Sequence, residues 1–411
     1  MKRRTASWAT LAMSMAVTGV LVAQEMPAPA EPEALPPAAE AVVEPAAART
    51  PLMGLLDKAG IGSTLDEYNI NITGWVEASI TWSLLERPAG DVIVGRAFDF
   101  EHSDPTLNQI GLAFSREVDM SKPWDIGFSI ETLYGADGRF TASNGMDFQT
   151  GTSPNNQFDI TQAAIDVVVP VGNGLKVRIG KFITPIGYEY TNNTLNPNFS
   201  HSYLFGLLPF AHTGVYATYA FDDSKSFSLG IARGWEQSLK DNNDSLEVVW
   251  SWAHVCSDKF TYAFNGSIGP QQDDDNSHYR VMLDYWSDYA FSDQLTIGLN
   301  VDYRYDSANA SDGDGSNVFG VATYFKYTLN DYVGLMPRLE WFNDTSRLDG
   351  FDAHIYSATL GVTITPFPND SLGSNLKIRP EIRYDYASEA IYDGGEEHDV
   401  LSLAISGYFT F

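Results

Sequence analysis

The densest run of ionisable side chains is Leu376-Lys-Ile-Arg-Pro-Glu-Ile-Arg-Tyr-Asp-Tyr386. In an extended strand, Lys377, Arg379, Glu381, Arg383 and Asp385 share one face. Leu376, Ile378, Ile382, Tyr384 and Tyr386 share the other. Charges facing a closed interior are costly unless that interior holds water. The spacing therefore suits a wet lumen, not a bond-making centre. The same alternation assigns Glu117, Glu131, Lys176, Arg178, Arg280, Asp284, Asp302, Arg304, Arg338 and Glu340 to the wet face of other segments. Bases and acids nearly match in this set. A mixed-charge interior is expected, with basic walls near the fifth and fifteenth segments and an acidic mouth that concentrates cations.

Catalytic and metal chemistry is thin. Ser200 beside His201 is the cheapest nucleophile–base pair, but neighbours in a strand point apart. There is no Gly-x-Ser-x-Gly, no nucleotide loop and no cysteine pair, Cys256 standing alone. Asp273-Asp-Asp275 and Asp312-Gly-Asp-Gly315 lack the full spacing of a calcium loop and read as solvated acidic loops. The histidines show no paired metal spacing. No cofactor is implied.

The elements that must position these faces are strands. Alternating segments run near 68–82, 107–118, 124–134, 158–169, 175–184, 212–221, 226–234, 246–256, 260–269, 278–290, 295–306, 317–329, 332–343, 354–365, 375–386 and 399–411. That is about 16 strands, each near the ~9–11 residues that cross a membrane at a tilt. Connections alternate short and long. Short ones such as Ser292-Asp293 and Asn330-Asp331 carry turn residues; long ones include 83–106, 135–157 and 185–211. Aromatics mark strand ends: Trp82, Tyr134, Trp235, Tyr305 and Trp341 at one end, Trp124, Phe221, Phe260, Phe291 and Tyr332 at the other. Such rings suit two membrane–water interfaces. The expected fold is all-β, a transmembrane antiparallel up-and-down barrel over 66–411, with lipid as its surroundings.

Composition agrees. The 411 residues carry a net charge of −28, which argues against nucleic acid as a partner. Mean hydropathy is −0.18, as a barrel requires when only alternate residues face lipid. Lys2, Arg3 and Arg4 precede an apolar stretch from Trp8 to Val22, and Leu21-Val-Ala23 offers a cleavage site; a signal peptide is expected over 1–23. Residues 24–65 read as an Ala/Pro-rich periplasmic tether ending in a short helix over Leu52–Ile61. The chain closes on Leu401, Leu403, Ile405, Phe409 and Phe411 along one face. That pattern resembles the assembly signal read by the barrel-assembly machinery, with Phe409 and Phe411 as its aromatics.

The fifth segment and its exit read Leu175-Lys-Val-Arg-Ile-Gly-Lys-Phe-Ile-Thr-Pro-Ile-Gly-Tyr-Glu189. Pro185 ends the strand. The loop from Pro185 to Ala211 holds Tyr188, Glu189, Phe199, Tyr203, Phe205 and Phe210 and is less polar than the others. It is expected to fold inward and narrow a pore. Gly180-Lys-Phe-Ile-Thr-Pro-Ile-Gly-Tyr-Glu189 after a basic strand resembles the OmpL-like β-barrel porins, and is similar to the O/P-type phosphate-selective porins. The resemblance covers approximately 66–411. It implies an outer-membrane porin of Gram-negative type, a passive diffusion channel for small hydrophilic solutes or ions, and a homo-oligomer such as a trimer. It does not imply phosphate transport, because no run of lysines is present. An outer-membrane hydrolase and a plugged adhesion or scaffold barrel are the competing readings. A soluble all-β protein is a fourth.

Overall fold

The computed structural model describes residues 49–85, 88–146, 155–308 and 314–411. The expected signal peptide, the tether up to residue 48 and Asp312 lie outside the described residues. Two short helices come first, α1 (Pro51–Lys58) and α2 (Gly62–Glu67). Thr50 caps α1 by accepting the Met53 amide, and a proline occupies its first turn.

Sixteen strands follow: β1 (Ile70–Ser83), β2 (Thr106–Arg116), β3 (Asp125–Gly135), β4 (Gln157–Val169), β5 (Leu175–Ile183), β6 (Ala211–Asp222), β7 (Lys225–Ala232), β8 (Glu247–Ser257), β9 (Phe260–Gly269), β10 (Arg280–Ala290), β11 (Leu295–Asp306), β12 (Ser316–Asn330), β13 (Val333–Asn343), β14 (His354–Ile364), β15 (Leu376–Ala387) and β16 (Asp399–Thr410). Each pairs antiparallel with its chain neighbours, and β1 pairs with β16 from Trp75↔Thr410 to Ser83↔Ser402. Phe411 and Gly74 exchange backbone hydrogen bonds at 2.7 and 2.8 Å beyond that register. Closure leaves no open sheet edge, the condition a sheet must meet in lipid.

The two faces separate as alternation requires. Ile126, Ile130, Ile179, Leu339, Leu360 and Ile405 point outward and are exposed. Their opposite neighbours, such as Ser129, Asp302, Arg338, Glu340, Arg379 and Asp385, point inward and are buried. Connections at one end are short, as at 223–224, 258–259 and 331–332; the longest lie at the other end, at 84–105, 136–156 and 184–210. The connection 365–375 departs from the alternation, being long at the short-turn end and carrying a turn of 3-10 helix at Gly373–Asn375.

The apolar core lies inside the barrel, not between layers. Inward-facing Val249, Met282, Val318, Tyr324, Phe342, Ile355 and Val400 meet Tyr203, Leu204, Leu207 and Leu208 from the connection 184–210. Trp235 belongs to this core as well, 7% exposed, with Nε1 donating to Ser267 and Arg280 over its ring at 4.5 Å. It was expected at the membrane interface. The chain turns at Gly234, φ 135°, and carries the indole into the lumen instead.

Candidate pore constriction

The connection 184–210 leaves β5 at Pro185 and re-enters the wall at β6, lying within the barrel in between. Its backbone contains two single turns of 3-10 helix, Asn193–Leu195 and Leu204–Leu207. Irregular backbone leaves amides and carbonyls without ladder partners, and the lumen wall supplies them.

Three arginines do most of this. Arg379 Nη1 reaches the carbonyls of Asn193, Asn196 and Asn198 at 3.1, 3.1 and 3.2 Å. Arg338 donates to the Ser200 and His201 carbonyls and to Ser200 Oγ. Arg383 donates to the His201 carbonyl. Carboxylates take the amides. Glu381 accepts from Phe199 at 3.1 Å and Ser200 at 3.4 Å, and Glu340 accepts from Tyr203 at 2.8 Å. Glu189 accepts the Ser202 amide and hydroxyl and pairs with Arg338 at 3.0 Å. Each arginine also has a wall carboxylate: Arg338 with Glu340, Arg379 with Glu77, Arg383 with Asp385. These arginine side chains are 0–2% exposed. Paired, multiply bonded guanidinium groups meet the conditions for burying charge.

A second connection covers the first. Arg96, in 84–105, bonds Asp99 at 2.8 Å and Asp385 at 2.9 Å. Phe98 sets its ring on His201 and Phe205, with centroids 4.8 and 5.3 Å away. Its backbone is left-handed, φ 71°. Burial lowers the His201 pKa to about 3. The neutral ring shares a 3.0 Å hydrogen bond with the Asn196 amide group.

The remaining charged residues of the inward face divide by access. Arg280 forms a bidentate pair with Asp306, and Arg304 joins Asp306 and Asp349. Asp284 and Asp302 face each other on one rung, bridged by Asn300. Glu131 accepts from Thr161 at 2.8 Å. Lys377 reaches Thr365 at 2.8 Å. Arg178 pairs with Asp166 through two bonds of 2.7 and 2.8 Å. Lys176, Arg178, Tyr216 and Thr218 keep solvent access, whereas inward residues of β13 and β15 are covered by the loop. Glu117 continues the inward face past the end of β2 and stands exposed in the turn. It lies off the wall because β2 stops at Arg116.

Sequence reasoning passed over Glu77, Asp166, Asp288 and Lys326, all of which were legible from alternation. It also passed over Lys181, which bonds Asp159 at 3.2 Å and is 3% exposed. Strict alternation puts Lys181 in lipid. Gly180 at φ 131° breaks the alternation, and a Cβ there would meet the Ala163 carbonyl at 2.3 Å. Arg96 and Phe98 could have been found from Val92-Ile-Val94 and Phe98–Phe100, an apolar stretch too long for a free loop.

Ser200 Oγ bonds Arg338, and His201 Nε2 bonds Asn196, so the two do not form a nucleophile–base pair. Among the described residues no group of three or more histidine, cysteine or acidic side chains is arranged to hold a metal ion.

A family model described as "Putative beta-barrel porin-2, OmpL-like" matches residues 69–411. The chain belongs to this OmpL-like porin family. It is an outer-membrane porin. Solved structures share the fold of this porin at low identity. An anion-selective porin from Comamonas acidovorans is 11% identical, with TM-score 0.55, covering 83% of this chain and 99% of its own. The outer membrane channel DcaP of Acinetobacter baumannii is 11% identical, with TM-score 0.55, covering 83% and 97%. OprB of Pseudomonas putida is 11% identical, with TM-score 0.55, covering 86% and 97%. No curated protein matches the porin in sequence.

Proposed function

We propose that this porin is a passive diffusion channel whose water-filled path is narrowed by the connection 184–210. The observation that carries this reading is the clamp: Arg338, Arg379 and Arg383 bind the loop backbone across the lumen. With the β13 and β15 side of the lumen occupied, the path for solute runs between the open edge of the loop, where Lys326 and Asp288 keep side chains 31% and 33% exposed, and the wall of β4, β5 and β6. There Lys176 and Arg178 are the accessible bases, so selectivity is set by them against an acidic outer mouth. Pro185, Tyr188, Glu189, Tyr203, Phe205 and Phe210 act as constriction residues. Glu189, Tyr203 and Phe205 anchor the loop, while Tyr188 and Phe210 form its edge. Phe409 and Phe411 serve as the assembly signal. A trimer is the proposed assembly; a trimer form of OmpT from Vibrio cholerae is among the similar folds, at TM-score 0.53.

The test is single-channel conductance of folded protein in a planar bilayer under a salt gradient. Discrete steps that grow when residues 190–202 are shortened support the constricted channel. A second reading rests on the apolar packing of Leu204 and Leu207, both 0% exposed, in the lumen. It is a plugged barrel, for which no steps appear in correctly folded protein and shortening the loop opens it.

A further inference from the structure

Between the loop 184–210 and the wall of β10, β12 and β13 lies a cavity of about 410 Å³. Its lining joins the aromatic and proline side chains of Pro185, Tyr188, Tyr190, Phe210 and Trp286 to polar groups that include Glu189, Asp288 and Lys326. Tyr190 and Leu195, 52% and 60% exposed, keep part of that lining open to solvent. The volume and the mix of apolar walls with a few convergent polar groups are those of a small-molecule site.

The polar groups define what it would take. Lys326 Nζ bonds Asp288 Oδ2 at 2.7 Å, and the Tyr188 hydroxyl donates to Asp288 Oδ1 at 2.7 Å. Tyr188 is itself fixed by stacking on Tyr324, with centroids 4.3 Å apart. Lys326 also lies 5.4 Å from the centre of the Tyr188 ring. Both oxygens of Asp288 are thus engaged. An ammonium has three donors, and Lys326 spends one on Asp288. The ammonium thus keeps donor capacity toward the cavity, while the lysine–aspartate pair is neutral as a whole. Glu189, the other acid of the lining, is tied to Arg338.

Resting on the channel reading above, we propose that this cavity is a solute site for a small uncharged aromatic carrying a hydrogen-bond acceptor. The ring lies against Trp286 and Tyr190, and a carbonyl or hydroxyl oxygen accepts from Lys326 Nζ. An anion would meet Asp288 and Glu189, and a cation would meet the Lys326 ammonium. The porin is then selective for such solutes over sugars of equal size.

The test uses full-length folded protein and benzamide as probe, with benzoate, benzylamine and glucose as comparators. Binding is read by calorimetry and by transient blocking of the single-channel current. Benzamide is expected to bind at least about tenfold more tightly than the three comparators. Trp286→Ala and Lys326→Met are each expected to weaken it by about tenfold or more. Heat-modifiable mobility on gels verifies that both variants fold. Equal affinity for glucose, benzoate or benzylamine overturns the proposal, as does unchanged benzamide binding in both folded variants. Potassium chloride conductance separates the two readings. Conductance without benzamide preference sinks the solute site and leaves the channel. Benzamide binding without conductance sinks the channel and leaves the site.

Discussion

Arg338 on β13 and Glu189 in the connection 184–210 meet at 3.0 Å with side chains 0% and 2% exposed. The pair joins a wall strand to a segment that has no sheet of its own. Breaking a buried pair from one side leaves an unpaired charge, at a cost of about 3–5 kcal/mol. Arg338→Met strands both Glu189 and Glu340. It is expected to release the loop, raise single-channel conductance and expose residues 189–203 to protease. Glu189→Gln keeps a hydrogen-bond acceptor for Arg338 and is expected to do markedly less. Equal effects would show that the charge of Glu189, and not its hydrogen bond, holds the loop.

Acid should loosen the same loop. His201 is buried and neutral, with a pKa lowered to about 3 from an ordinary value of 6.5. When the loop opens, the ring takes up a proton below pH 6.5, so the stability of the packed loop is full above that pH and lost as pH falls toward 3. At pH 5 the loss is about 2 kcal/mol. Hydrogen exchange of residues 196–205 is expected to accelerate between pH 7.5 and pH 5. His201→Gln should flatten that dependence. Exchange that accelerates equally in the variant would assign the effect to other groups.

Selectivity should follow β5. Lys176 keeps solvent access, and Arg178 is half-buried in its bond to Asp166. Lys176→Glu is expected to move the reversal potential toward cation preference. Arg383→Gln, beneath the loop, should move it little at equal open-channel current. The reverse order would place the solute path on the β15 side.

Assembly should depend on the terminal ring. Phe411 shares backbone hydrogen bonds with Gly74 at 2.7 and 2.8 Å, and its ring stacks near Phe409 with centroids 6.2 Å apart. Phe411→Ala keeps the backbone bonds and removes the ring. Outer-membrane yield is expected to fall several-fold, while the protein that does assemble keeps its heat-modifiable mobility. Normal yield would remove Phe411 from the assembly signal.

The barrel was legible because a two-residue period writes itself into composition. Ile297, Leu299, Val301 and Tyr303 against Gly298, Asn300, Asp302 and Arg304 need no tertiary information to sort. The apolar character of 185–211 was equally plain. What the loop would touch was not. Arg379 finds Asn193, Asn196, Asn198 and Glu77, partners far apart in sequence that only closure of the barrel brings together. The inward alternation of β15 shows that its arginines face inside, but not that a backbone covers them. Lys181 and Trp235 escaped for a local reason. Each follows a glycine in a left-handed or extended-positive conformation, and alternation counted through such a residue comes out on the wrong face.

The arginine clamp also has a mechanical meaning. A closed sheet resists stretching along its strands, but its cross-section can flatten into an oval at little cost in hydrogen bonds. Here a segment anchored in β5 and β6 is bonded across the lumen to β13 and β15, and through Glu77 to β1. It acts as a strut spanning the hoop. Lateral pressure in the bilayer that would squeeze an empty barrel must here compress a packed brace.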